Sequence, residues 1–144
     1  MLDYNNTACL ECEFGKYAPQ ALTDSCLTCE AGFHTNFKTK ATTCSACDAG
    51  SFSNASSLNC TSCEPGYYSS SGSSTCSECA TGFASADYGA SSCTACSAGT
   101  YAESSGAINC TFCAAGMSQG STGQASCIEC PVGEYSGDKG STSC

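Results

Sequence analysis

Large apolar side chains along this 144-residue chain never come in runs and never recur at helical spacing. Glycine and serine interrupt every window, so no 3.6-residue periodicity forms. What recurs is a single ring per segment: Tyr17, Phe33, Phe52, Tyr67/Tyr68, Phe83, Tyr101 and Tyr135, with Met117 in the same role once. Each follows, within two residues, one of the evenly spaced glycines Gly15, Gly32, Gly50, Gly66, Gly82, Gly99, Gly116 and Gly133. Serine, threonine, alanine, glycine and asparagine fill the rest. The pattern predicts strands of two or three residues around the rings, joined by turns such as SSSGSS, ADYGAS and ESSGA. A glycine so regular implies positive φ or no room for a Cβ. The ring alternates in part between G-x-[YF] and G-[FM], which suggests a structural period of two segments, with the phase slipping at Tyr67/Tyr68.

Cysteine sets the frame of this pattern. C-x-x-C pairs fall at 9/12, 26/29, 44/47, 60/63, 76/79, 93/96, 110/113 and 127/130, in steps of 16 to 18 residues, and Cys144 stands one further step on. The regular glycine lies three residues after the second cysteine every time. Residues 9–144 therefore read as eight tandem repeats of about 17 residues, C-x-x-C-x-x-G-x-[YF], cut off at the start of a ninth, with 1–8 leading into the array. This predicts a segment of a longer, quasi-one-dimensional array without an internal domain boundary, each repeat touching mainly its neighbours.

Composition explains why cysteine is needed. Of the hydrophobic residues 17 are Cys and 19 are Ala, and Leu, Ile, Val and Phe together number only 14. At a net charge of -9 that is the make-up of a disordered chain, unless cross-links replace the missing core. Thirteen acidic residues face four lysines and no arginine, which argues against nucleic acid and anionic membrane as partners. No run is long enough for a transmembrane helix. The first residues, MLDYNNTACL, lack the apolar stretch of a signal peptide, so any secretion signal is expected outside this chain.

Three uses of the cysteines compete. Paired C-x-x-C motifs come close to the spacing of a four-cysteine zinc site, but the acidic balance and the sequons described below oppose it. A redox C-x-x-C needs a helix N-terminus, and no helical pattern exists. Structural disulfides fit best. The preferred scheme joins the second cysteine of each repeat to the first of the next: Cys12–Cys26, Cys29–Cys44, Cys47–Cys60, Cys63–Cys76, Cys79–Cys93, Cys96–Cys110, Cys113–Cys127 and Cys130–Cys144. It uses Cys144 and leaves Cys9 for an upstream partner. An interlocked scheme, Cys9–Cys26 with Cys12–Cys29 and so on, stays open, and the partial alternation of the rings favours it slightly.

The stretches CSACDAGSFSNASSLNC, CTACSAGTYAESSGAINC and CIECPVGEYSGDKGSTSC resemble the ephrin-receptor-like cysteine-rich repeat. CEFGKYAPQALTDSC is similar to the first loop of a tumour-necrosis-factor-receptor cysteine-rich module. In that module the two loop cysteines pair with each other, which supports the sequential scheme. The resemblance runs from Cys9 to Cys144. Long tandem arrays of this kind resemble protist surface proteins, such as ciliate immobilisation antigens. The fold class expected is small and disulfide-rich: an elongated tandem cysteine-rich repeat array with short β-hairpins and little regular secondary structure.

Other chemistry is sparse. Sequons place candidate glycans on Asn5, Asn54, Asn59 and Asn109; Asn59 and Asn109 immediately precede a cysteine, so an early disulfide can block the transferase. Acidic residues flank the cysteines (Glu11, Glu13, Glu30, Asp48, Glu64, Glu78, Glu129), spaced singly as solvated charge rather than as a calcium loop. The rings are expected to form a spine, each packed on a neighbour's disulfide or glycine turn, and His34 to be an exposed loop residue. No catalytic constellation, metal site or cofactor is expected. The function expected is an extracellular structural glycoprotein, a disulfide-stapled rod or filament at a cell surface, whose partners are its own neighbouring repeats or other copies. A ligand-binding receptor or adhesin ectodomain is the alternative, with the long second repeat, FHTNFKTK, as its deviant.

Overall fold

The computed structural model describes residues 12–19 and 25–144. Asn5, Cys9 and Glu11 lie outside them. The local unit is a β-turn that ends on the regular glycine and its follower. In Glu64-Pro65-Gly66-Tyr67 the Tyr67 N–H donates to the Glu64 carbonyl at 3.0 Å, and Gly66 takes φ 85°. That is a type II turn, with proline and glycine at the positions this turn favours.

The two residues that follow the turn glycine form a short strand. It pairs, antiparallel, with the dipeptide inside the next C-x-x-C. Seven such hairpins occur among the described residues: β1 (Lys16–Tyr17) with β2 (Leu27–Thr28), β3 (Phe33–His34) with β4 (Ser45–Ala46), β5 (Ser51–Phe52) with β6 (Thr61–Ser62), β7 (Tyr67–Tyr68) with β8 (Ser77–Glu78), β9 (Phe83–Ala84) with β10 (Thr94–Ala95), β11 (Thr100–Tyr101) with β12 (Thr111–Phe112), and β13 (Met117–Ser118) with β14 (Ile128–Glu129). No helix is present among the described residues. Both ring registers fall inside the same two-residue strand, so the ring does not set the period. The first seven repeats make the same hairpin, and the expected two-repeat alternation is a variation in side chains only.

The disulfides close each hairpin at its base. Cys12–Cys26, Cys29–Cys44, Cys47–Cys60, Cys79–Cys93, Cys96–Cys110, Cys113–Cys127 and Cys130–Cys144 are bonded, with Cα–Cα distances of 5.6 to 5.8 Å. Cys63 and Cys76 are disulfide-bonded as well. The pairing is sequential rather than interlocked, and it commits these thiols to sulfur rather than to zinc. Each closed loop of 13 to 15 residues removes about 3 kcal/mol of unfolded-chain entropy.

Two compact units emerge from the packing: Met1–Ser62 with Ser69–Cys76, and Cys63–Tyr68 with Ser77–Cys144. Both use one hydrogen-bond scheme. A turn glycine donates to the next repeat: Gly32 N–H to the Ser53 carbonyl at 2.8 Å in the first unit, Gly82 N–H to the Ala102 carbonyl at 2.8 Å in the second. A loop residue donates in the other direction, to the preceding repeat. Gly72 donates to the Cys47 carbonyl in the first unit; Gly106 donates to Cys79, Gly123 to Cys96 and Gly140 to Cys113 in the second, each at 2.8 Å. The carbonyls of the same loop residues approach the turn glycine two repeats back, Gly72 to Gly32 and Gly123 to Gly82, so contacts extend to the second neighbour, further than the sequence suggested.

The interior of each unit holds sulfur and small polar groups. The second cysteine of each pair from Cys12 to Cys113 is buried, while the first of each pair from Cys26 to Cys127 is half-buried. Beside the cysteines lies the third residue after each turn glycine from Gly32 on: Thr35, Ser53, Ser69, Ser85, Ala102, Gln119 and Ser136, all buried. Their hydroxyls replace water for the strand before them. Ser53 Oγ donates to the Phe33 carbonyl and Ser69 Oγ to the Ser51 carbonyl, both at 3.0 Å, and Thr35 Oγ1 accepts from the Gly15 N–H at 3.2 Å. No buried side-chain polar atom among the described residues lacks a partner, as a core this poor in oil requires.

Of the expected aromatic spine, the contact of ring on glycine turn is present and the burial is not. The rings are half-buried or exposed on the hairpins, because the backbone of successive repeats fills the interior too closely to admit them. They pack on glycine turns from outside: a Cβ on Gly123 would lie 3.8 Å from the Phe83 ring.

The turn glycines separate two effects that usually travel together. Gly82 (φ 81°) carries the Gly123 carbonyl oxygen where a Cβ would stand, whereas Gly116 (φ 82°) has nothing within 4 Å of that point. Gly116→Ala should cost about 1 kcal/mol, the conformational term alone. Gly82→Ala adds the displacement of a backbone carbonyl and should cost at least about 3 kcal/mol. Equal losses in denaturant titrations of the two variants would contradict the close approach.

Candidate functional site

The described residues hold no group of three or more His, Cys, Asp or Glu side chains able to bind a metal ion. The acidic residues beside the cysteines divide by position. Glu13, Glu30, Asp48 and Glu64 open the type II turns through their carbonyls, with side chains exposed; Glu78 and Glu129 lie inside C-x-x-C strands, also exposed. Lys16 makes one surface ion pair, to Glu13 at 3.4 Å. What remains available for recognition is the outer surface of the hairpins and loops, and three places on it depart from the repeat.

The first is Glu78 in β8. Its Oε1 accepts from the Tyr67 hydroxyl at 3.2 Å and its Oε2 from the Ser105 hydroxyl at 2.7 Å. One carboxylate thus ties together a ring and the loop 27 residues on. The hydrogen bond to Glu78, and then that carboxylate's charge, hold the Tyr67 phenol above its usual value of 10.0. The folded state favours the protonated phenol, so this tie is intact below the usual phenol range and is lost as pH rises through the Tyr67 value.

The second is the long repeat. Its extra residue is absorbed by a turn, Thr35-Asn36-Phe37-Lys38, closed by Lys38 N–H donating to the Thr35 carbonyl at 3.1 Å. Asn36 (φ 50°) and Phe37 (φ 57°) are both left-handed, a type I′ geometry in which glycine normally follows asparagine. The turn holds Phe37 out of the fold, 58% exposed. His34, expected in an exposed loop, is instead half-buried in β3, opposite Ser45, with Nδ1 accepting the Asn36 N–H at 3.0 Å.

The third is a position the sequence reading missed. Four residues before the next cysteine stand Gly72, Gly89, Gly106, Gly123 and Gly140, all at positive φ. These glycines make the bond to the second cysteine of the preceding repeat. Their regularity is visible in the sequence when counted backward from the next cysteine rather than forward from the pair. In the third repeat the place is taken by Ser56, which keeps φ 63° and the bond, Ser56 N–H to the Cys29 carbonyl at 2.9 Å. Ser56 also completes the sequon of Asn54. The sequon residues Asn54, Asn59 and Asn109 are all exposed; Asn5 lies outside the described residues.

Comparison with known proteins finds a family whose pattern this geometry shares. Residues 66–113 and 82–126 match the family described as tyrosine-protein kinase ephrin type A/B receptor-like. The two stretches overlap and together run from 66 to 126, less than half of the chain. They contain the glycine turns Gly66, Gly82, Gly99 and Gly116 and the complete hairpins of the first three. No curated protein matches the chain. The chain is thus a tandem array of disulfide-bonded cysteine repeats, similar over its middle and later repeats to ephrin-receptor-like modules. A framework of this kind, with its sulfurs oxidised, suggests an extracellular domain. No helix among the described residues is long and apolar enough to cross a membrane.

Two measurements check these sites. Ser56→Gly, in protein prepared without glycans, should raise stability by about 0.5–1 kcal/mol by relieving the left-handed serine; no gain in the thermal midpoint would place the strain elsewhere. In an absorbance titration of the phenols, Tyr67→Phe should remove one group ionising above the ordinary value, and Glu78→Gln should bring that group back toward it.

Proposed function

We propose that the chain is a segment of an extracellular structural glycoprotein, a disulfide-stapled rod or filament at a cell surface, without catalytic activity. The observation that carries this reading is the hydrogen-bond scheme between repeats. Within each unit the same turn, hairpin and loop recur, and the backbone groups that elsewhere build a binding cleft are spent on the neighbouring repeats. Sulfur and small hydroxyls fill the interior of each unit. Glycans at Asn5, Asn54, Asn59 and Asn109 would coat the surface, and contacts with further repeats or other copies would extend it. A protist surface protein of the immobilisation-antigen type fits this description. Electron microscopy of native, unreduced protein tests it: glycan-coated fibres are expected, and isolated short particles that never associate would defeat the filament reading.

A second reading, a ligand-binding receptor or adhesin ectodomain, has one observation in its favour. The chain accepts two consecutive left-handed residues to present Phe37 to solvent, and strain of this kind collects at functional sites. Phe37→Gly separates the two readings. It should stabilise the fold in either case, and it should abolish cell-surface binding only if Phe37 anchors a partner.

A further inference from the structure

An open groove lies in the second unit, along β9–β10 and β11–β12. It has a volume of about 780 Å³, within the range of roughly 300–1,000 Å³ usual for small-ligand sites. Its walls carry Tyr88, Ile108 and Phe112, which are 73%, 51% and 55% exposed. Three large apolar groups open to water around one groove need an explanation on a chain with so few. Asp87 and Asn109 line the same groove. Phe112 is backed by the Gly140 turn, with Lys139 Nζ 5.7 Å from its ring centroid, so the ring is held in place.

Asn109 identifies the occupant. It is exposed, it heads the sequon Asn109-Cys110-Thr111, and it sits in the groove wall directly after Ile108. A sugar joined to its side chain starts inside the groove. Sugars of the N-acetylglucosamine type have an apolar C–H face that stacks on aromatic rings and a polar edge of hydroxyls and amide, and this groove offers both kinds of surface. We infer that the groove is the bed of an N-glycan on Asn109, whose first sugars lie against Tyr88 and Phe112 with their polar edge toward Asp87. The inference rests on the secretory route contained in the proposed function. In the transfer step, Asn109 Nδ2 attacks C1 of the reducing-end sugar of a lipid-linked pyrophosphoryl oligosaccharide. The Nδ2–C1 bond forms, the C1–O bond to pyrophosphate breaks, and the amide proton leaves with the lipid pyrophosphate. This step precedes closure of Cys96–Cys110, which would otherwise stiffen the acceptor.

The chain contains its own comparison. Asn59-Cys60-Thr61 occupies the same place in its repeat, one residue before the first cysteine. It has Thr39 and Ser62 where the Asn109 groove has Tyr88 and Phe112, counted from the neighbouring cysteines. A glycan on Asn59 therefore lacks the two rings that line the Asn109 groove.

The test uses the whole chain secreted from a eukaryotic host, with glycans trimmed enzymatically to the first sugar and occupancy mapped by mass spectrometry. Iodination of Tyr88 is then timed against Tyr135, which is 81% exposed and does not line the groove. Asn109 should be occupied, and Tyr88 should label at least about fivefold more slowly than in Thr111→Val or after complete enzymatic deglycosylation. Tyr135 should label at one rate throughout. A secreted, fully disulfide-bonded chain with Asn109 bare overturns the inference and leaves the proposed function standing, as does an occupied Asn109 with unchanged Tyr88 labelling. A chain that is not secreted in oxidised form overturns both.

Discussion

The close approach of a loop carbonyl to the turn glycine of the second repeat back governs this fold. It occurs between Ser56 and Gly15 and between Gly72 and Gly32 in one unit, and between Gly106 and Gly66, Gly123 and Gly82, and Gly140 and Gly99 in the other. A carbonyl can occupy that space only because the turn residue has no Cβ. Once it does, the loop N–H of the same residue meets the carbonyl of a second cysteine, and the disulfide closes against it. Backbone meets backbone at distances that exclude large side chains, so the interior takes cysteine and serine and the rings stay outside. The poverty of the sequence in leucine and valine follows from this geometry as much as it demands it.

The parts of the fold that were legible in the sequence are those set by a residue with only one use. Cysteine at fixed steps and glycine three residues on define the repeat, the turn and the short strand that follows. The positions that escaped are those where a residue's type is ambiguous. Ser53 and Ser69 read as loop filler, since serine is common everywhere in this chain, yet they are buried and bonded to the preceding strand. A small residue three places after the turn glycine was a signal, but a weak one. The rings misled in the opposite direction: hydrophobicity put them inside, and the packing of backbone on backbone kept them out. The left-handed turn at Asn36 and Phe37 depends on how one extra residue is absorbed, which spacing reveals and conformation does not.

The outer surface inherits whatever freedom the interior lacks. Residues in the hairpin strands and loop tips differ from repeat to repeat without disturbing the backbone scheme: Glu78 ties a ring to a later loop, Phe37 stands out on a strained turn, and Tyr88 flanks a groove. These local departures, and not the repeated frame, are what one repeat offers that another does not.

A core of sulfur and hydroxyl also sets how stability responds to temperature. The heat-capacity change of unfolding comes chiefly from newly exposed apolar surface, and polar surface works against it. Here unfolding uncovers little oil, and the intact cross-links keep the opened chain compact. The stability curve should therefore be broad and shallow, with weak penalties on both cooling and heating. Such a protein owes its permanence to restricted escape of the chain, and it keeps nearly the same margin across a range of environments.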